Sequence, residues 1–101
     1  MQEFVEYVYE SFAQYHGLEY EEAKAFIKDS GIVQEIRDRM PEYIYDTCQR
    51  IADKTDYALV RAGATLPPLM VHEWVECCDR EDLVHTNPWR YDPASKAWVK
   101  A

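Results

Sequence analysis

Residues 3–15 read EFVEYVYESFAQY, and this stretch decides the fold class. Phe4, Val5, Val8, Phe12 and Tyr15 recur at the spacing of one helix face, so the segment reads as an amphipathic helix from about Glu3 to Tyr15. His16-Gly17 closes it, because Gly17 can take the left-handed conformation of a helix C-terminus. Working outward, a second helix is expected from about Glu19 to Asp29, with Ala23, Phe26 and Ile27 inward. Glu19, Glu21 and Glu22 stand in its first turn, where the helix dipole favours negative charge. Ser30-Gly31 interrupts the pattern. A short third helix follows, with Ile32, Val33, Ile36 and Met40 inward, and Pro41 both ends it and suits the first turn of the next.

The fourth helix is expected to be the longest, from Pro41 to about Ala62. Ile44, Cys48, Ile51, Ala52 and Ala58 give its apolar face, and Asp53 to Asp56 weaken its middle. Gly63 is a natural stop, and the paired prolines of Ala64-Thr65-Leu66-Pro67-Pro68 forbid a continuous helix. A short fifth helix is expected from Pro68, with Val71, Trp74, Val75 and Cys78 inward. The tail differs in kind. Trp89-Arg90-Tyr91 and Ala97-Trp98-Val99 flank Asp92-Pro93-Ala94-Ser95-Lys96, a pattern of strand formers around a turn that predicts a β-hairpin. A lone hairpin is marginal in water, so Trp89 or Trp98 is expected to pack on the helices. The expectation is a mainly α protein: four to five short helices in one compact domain over residues 1–101, helical over about 3–83, with a C-terminal β-hairpin over about 88–100.

The chain has 101 residues, enough for one core and no second domain. Its 19 acidic and 11 basic side chains leave a formal charge of −8. That charge argues against direct contact with nucleic acid, whose affinity comes from neutralised phosphates, and against an anionic membrane surface. No apolar run approaches the about 20 residues of a membrane-spanning helix. The start, MQEFVEYVYE, lacks a basic region and is interrupted by Glu3 and Glu6, so no signal peptide is expected and the expected location is cytoplasmic. Cys48, Cys77 and Cys78 are a poor disulfide framework, in keeping with a reducing compartment.

The charge is uneven. Met1 to Thr47 carries 11 acids against 4 bases, and Cys48 to Ala101 carries 8 against 7. Six glutamates precede the first basic residue, Lys24. On the first helix Glu3, Tyr7, Glu10 and Gln14 follow one another along one outer face, bordered by Glu6. An acidic rim steers a basic partner, and a central tyrosine adds contact area at small entropic cost. The same pattern also suits an ordinary solvated face with N-terminal dipole complementarity. Tyr7, Tyr20, Tyr43 and Tyr45 cannot all face inward, and exposed aromatics are enriched at interfaces.

Motifs of chemistry are few. His72-Glu73-Trp74-Val75-Glu76 comes within one residue of the zinc-protease pattern, but the second histidine that would reach the same metal from one helix face is replaced by Glu76. An i,i+4 surface ion pair is the simpler explanation. Cys77-Cys78 is not a CxxC motif, since adjacent helical residues point about 100° apart. There is no GxSxG, GxGxxG or P-loop, so neither a nucleophile elbow nor a phosphate-cradling loop is expected.

The segment FVEYVYESFAQYHGLEYEEAKAFIKDSGIVQEI, Phe4 to Ile36, resembles a family of short bacterial proteins. The likeness rests on a Phe-led first helix, a Leu before the second, an aromatic near its end, then Gly-Ile: Phe4, Phe12, Leu18, Phe26, Gly31 and Ile32. Such proteins are often encoded beside ADP-ribosyltransferase-like toxins, and the resemblance implies an antitoxin or immunity role without catalytic residues. It covers about a third of the chain.

The expected function is therefore a non-enzymatic, acidic protein-binding module, antitoxin- or immunity-like, that masks a basic surface of a partner. Its expected contact residues are Glu3, Glu6, Tyr7, Glu10, Glu21 and Glu22. The expected partner is a toxin or a nucleic-acid-binding enzyme; neither direct nucleic-acid nor membrane contact is expected, and homo-oligomerisation stays open. Two alternatives stand beside it: a phage-type inhibitor that blocks a defence enzyme by mimicking DNA, and a small metal-dependent enzyme using His72, Glu73, Glu76 and Cys77. No cofactor, catalytic residue or metal is expected under the first reading.

Overall fold

A computed structural model of the protein describes residues 4–68 and 87–100. Among these residues there are five helices and a two-stranded antiparallel hairpin: α1 Phe4–His16, α2 Tyr20–Ser30, α3 Val33–Asp38, α4 Met40–Tyr43, α5 Cys48–Arg61, β1 Trp89–Asp92 and β2 Ala97–Lys100. The protein is mainly helical, as its apolar spacing predicts. The expected fifth helix from Pro68 falls outside the described residues, as do His72, Glu73, Glu76, Cys77 and Cys78. No helix among the described residues is long and apolar enough to cross a membrane.

α1 is the hub, packing on α2, α3 and α5. Its buried side is wider than one stripe: Val5, Val8, Phe12 and Tyr15 are joined there by Tyr9, Ser11, Ala13 and His16. Gly17 ends it at φ 69°. The Leu18 amide then reaches back to the Ala13 carbonyl at 2.8 Å, and Leu18 itself is buried, the two parts of a Schellman closure. Phe12 stacks on Phe26 of α2 at 5.9 Å, and Ile27, Ile36, Ile51 and Leu59 complete the core.

The long fourth helix is the clearest correction. It is divided at residues 44–47, where Thr47 turns to extended backbone at ψ 160° and its hydroxyl caps α5 by accepting the Arg50 amide. A threonine favours that position because its oxygen replaces a missing intrahelical acceptor. The Lys54 ammonium donates to the Glu42 carbonyl across the break and pairs with Asp46. Ile44 and Met40, both expected inward, are 51% and 39% exposed. Within α5 the acidic middle is not a weak spot: Thr55 and Asp56 are buried alongside Ile51, Ala52 and Ala58.

The hairpin pairs Trp89 with Lys100, Arg90 with Val99, Tyr91 with Trp98 and Asp92 with Ala97. Its turn is held by Asp92, whose carboxylate accepts the Ala94 amide and the Ser95 hydroxyl; these bonds hold its carboxyl below the usual range. Tyr91 and Trp98 lie opposite one another and both pack on Phe26, with centroid distances of 5.3 and 4.9 Å. Trp98 is thus the tryptophan that anchors the tail, and Trp89 is half-buried at its base.

Polar bonds reinforce that anchorage. Glu22 closes a capping box with the Glu19 amide, and its second carboxylate oxygen accepts the Tyr91 amide at 3.0 Å. The Tyr91 hydroxyl donates to Asp29 at 2.7 Å. The hairpin therefore belongs to the core. Removing all residues after Asn87 is expected to lower the melting temperature, and Trp98→Ala alone to cost about 2–4 kcal/mol by losing aromatic packing. Thermal unfolding followed by circular dichroism checks both; a truncated protein as stable as the parent would make the tail an independent appendage.

Candidate functional site

The expected contact residues do not form one set. Glu3 lies outside the described residues. Glu6, Tyr7 and Glu10 project from the outer side of α1, with Glu10 exposed and the other two half-buried. Glu21 is exposed in the first turn of α2. Glu22, its neighbour, points the other way: its carboxylate holds the α2 N-terminus and the hairpin, and lies 3.7 Å from the Arg90 guanidinium.

Tertiary structure joins the rest through Tyr20. Its ring sits edge-on to Tyr9, with centroids 6.1 Å apart. Burial, and then the fields of Glu6, Glu21 and Glu10, push its hydroxyl above the usual tyrosine value. The fields of carboxylates from two helices thus act on one phenol. None of the three is in an ion pair among the described residues. The acids of the other face differ: Glu35 pairs with Arg39 and Arg61, Glu42 with Arg39, and Asp46 with Lys54 and Arg50. Basic side chains thus pair with these three acids, while Glu6, Glu10 and Glu21 have no such partner among the described residues.

Tyr45, one of the four tyrosines singled out from sequence, is 95% exposed. Tyr7 and Tyr20 instead pack against the core with part of the ring in solvent, the amphipathic use of tyrosine in which the ring is buried and the hydroxyl wetted.

A second constellation has no motif to announce it. His16, at the end of α1, places Nε2 2.8 Å from Oδ1 of Asp56 in α5, across 40 residues of sequence. The histidine side chain has no exposed surface and the aspartate 10%. With Asp56 ionised, Nε2 carries the proton and donates it. Burial raises the Asp56 carboxyl, while the hydrogen bond and charge of His16 draw it back down. Nδ1 meets no partner among the described residues. A His–Asp pair can orient a general base, but that work needs the second ring nitrogen open to a substrate. Here the ring is sealed between Phe12 and Tyr15, at centroid distances of 4.4 and 5.1 Å. The nearby hydroxyls of Ser11 and Thr55 donate to backbone carbonyls of their own helices. The pair is a structural tie between α1 and α5.

Among the described residues, no three histidine, cysteine, aspartate or glutamate side chains group as metal ligands. Comparison of the chain with known protein families, with curated proteins and with solved structures finds no match.

The buried tie has a measurable signature. His16→Ala or Asp56→Ala should each cost about 3–5 kcal/mol, because each leaves a polar group buried without its partner. The joint replacement His16→Phe with Asp56→Leu should cost less than the two alanine effects combined. Urea denaturation of the three variants checks this, and additive losses would show that the two groups act independently.

Proposed function

We propose that the protein is a non-enzymatic, acidic binding module, antitoxin- or immunity-like, that covers a basic surface of a partner protein. The observation that carries this reading is that Glu6, Glu10 and Glu21, whose fields all reach Tyr20, have no cation among the described residues paired with any of them. Like charges set side by side oppose folding unless something compensates them, as arginine and lysine compensate Glu35, Glu42 and Asp46. A partner that brings its own cations relieves that repulsion on binding.

The chemistry on offer is carboxylate acceptors for lysine or arginine, with Tyr7 and Tyr20 as partly exposed rings for the apolar stems of those side chains. Contacts of this kind act chiefly on the speed of encounter, since long-range attraction orients the partners before they touch. Glu22 is not part of this surface in the reading, because its carboxylate is engaged with the hairpin. Glu3 extends the same sequence face by its position.

The test starts from a partner captured from the native host at low salt and then purified. Replacing Glu6, Glu10 and Glu21 together by Gln should slow association by about tenfold or more and flatten its dependence on salt. Tyr7→Ala should act differently, by speeding dissociation, because it removes contact area and not field. Surface plasmon resonance over a salt series separates the two effects. Displacement of the protein from that partner by duplex DNA would identify the partner as a nucleic-acid-binding protein. An unchanged association rate for the triple variant at low salt would remove the acidic face from the interaction.

A further inference from the structure

Among the described residues the sheet is the hairpin alone, so each strand has an outer edge. In an antiparallel pair the backbone groups of successive residues point alternately to the partner strand and away from it. The Tyr91 amide donates to Glu22 and the Trp89 amide to the side chain of Asn87, so both point away from β2. Arg90 and Asp92 therefore bond across the hairpin to their register partners, Val99 and Ala97. On β2 it follows that Ala97 and Val99 turn their backbone groups inward, and Trp98 and Lys100 turn theirs outward.

The fold covers one outer edge and leaves the other. On β1 the outward amides are taken by Glu22 and Asn87, and the Trp89 carbonyl accepts the Arg90 guanidinium. On β2 no group among the described residues bonds the outward amides or carbonyls of Trp98 and Lys100; the Trp98 bond is made by its indole, which donates to the Thr65 carbonyl. The strand is also reachable. Ala97 and Lys100 are exposed, Val99 is 45% exposed, and a cleft of about 580 Å³ is lined in part by Lys96, Ala97 and Trp98. Lysines stand at both ends of the edge, Lys96 just before β2 and Lys100 within it. Neither is in an ion pair among the described residues.

We propose that the outer edge of β2 is a docking site for an extended, acidic segment of a partner protein, which joins the hairpin as a third strand. An open edge offers donors and acceptors in alternation, and an extended backbone is the shape that meets them in order. The two lysines choose among such backbones, because opposite charges across a strand pair stabilise it and like charges oppose it. A second copy of the chain fits less well. Pairing β2 with itself brings the Lys100 of each copy onto one small sheet and sets two chains of net charge −8 against each other. Edge lysines also guard against indiscriminate strand pairing, and that guard is weakest against carboxylates. The site shares no residue with the acidic α1–α2 face, so this proposal and the reading of that face stand or fall separately.

The full-length protein is titrated with a capped peptide, Glu-Val-Thr-Val-Glu, and in parallel with Lys-Val-Thr-Val-Lys. Salt is held at about 0.15 M, where fields beyond about 8 Å are screened and the local lysines outweigh the net charge of the chain. Backbone amide resonances and their hydrogen exchange report the edge. The acidic peptide is expected to saturate in the millimolar range or below. It should shift and protect the Trp98 and Lys100 amides, while those of Ala97 and Val99, already bonded to β1, change little. The lysine-ended peptide should bind at least about fivefold more weakly, and Lys96→Gln with Lys100→Gln should remove that preference. The peptide comparison uses the parent protein, so it stands whatever the double variant does to the turn. No saturable protection at Trp98 and Lys100 overturns the proposal and leaves the lysines as guards of an unused edge. Equal or tighter binding of the lysine-ended peptide overturns it as well. Protection of the same amides without peptide, rising with protein concentration, would assign the edge to a second copy and also overturn it.

Discussion

The C-terminal end of α1 is buried, and much of the structure is arranged to satisfy its polar groups. A helix end carries carbonyls without intrahelical partners, and out of water each needs a donor. Asn87 supplies two: its side-chain amide donates to the His16 carbonyl at 3.2 Å and its backbone amide to Gly17 at 3.3 Å. Its remaining oxygen accepts the Trp89 amide, and the Arg90 guanidinium donates to its carbonyl. The His16 ring turns the other way, to Asp56 of α5. One buried helix end thus fixes the position of both α5 and the hairpin base, and Asn87, 1% exposed, is as much a core residue as Phe12.

The acidic residues divide by what surrounds them and not by type. Glu21 and Glu22 are adjacent, yet the first faces solvent beside Glu6 and Glu10 while the second closes a capping box and takes the Tyr91 amide. Asp53 and Asp56 are one helical turn apart, and only Asp56 is buried, opposite His16. In each pair the inward carboxylate has donors that replace its lost water, and the outward one does not need them. Glu6, Glu10 and Glu21 have no cation paired with them among the described residues, whereas Glu35, Glu42 and Asp46 do.

The hairpin serves two ends through the same aromatic residues. Tyr91 and Trp98 bury Phe26 from one side, which completes the core over α2. Both, with Asp29 and the chain after α5, also line a cleft. A small protein has little interior to set aside for a pocket, so a pocket formed where an appended element meets the core costs less packing than one carved from the centre.

What the sequence determined by itself was local. Apolar spacing placed α1 and α2 to within a residue or so, Gly17 and Gly31 closed them in the left-handed conformation, and strand formers around Asp92-Pro93 located the hairpin. These features depend on residues within one or two turns, so they are legible without a partner. Even the break before α5 had a signal, since Thr47 is a good N-cap, but apolar spacing across it from Ile44 to Ala58 imitated a continuous helix. The tertiary structure alone decided the rest: that His16 meets Asp56 across 40 residues, that Tyr91 meets Asp29 across 62, and that Glu6 and Glu10 join Glu21 around Tyr20. A histidine or glutamate reads the same in sequence whether it faces water or a partner. Which one it faces depends on how the helices pack, and packing is set by contacts between residues far apart in the chain.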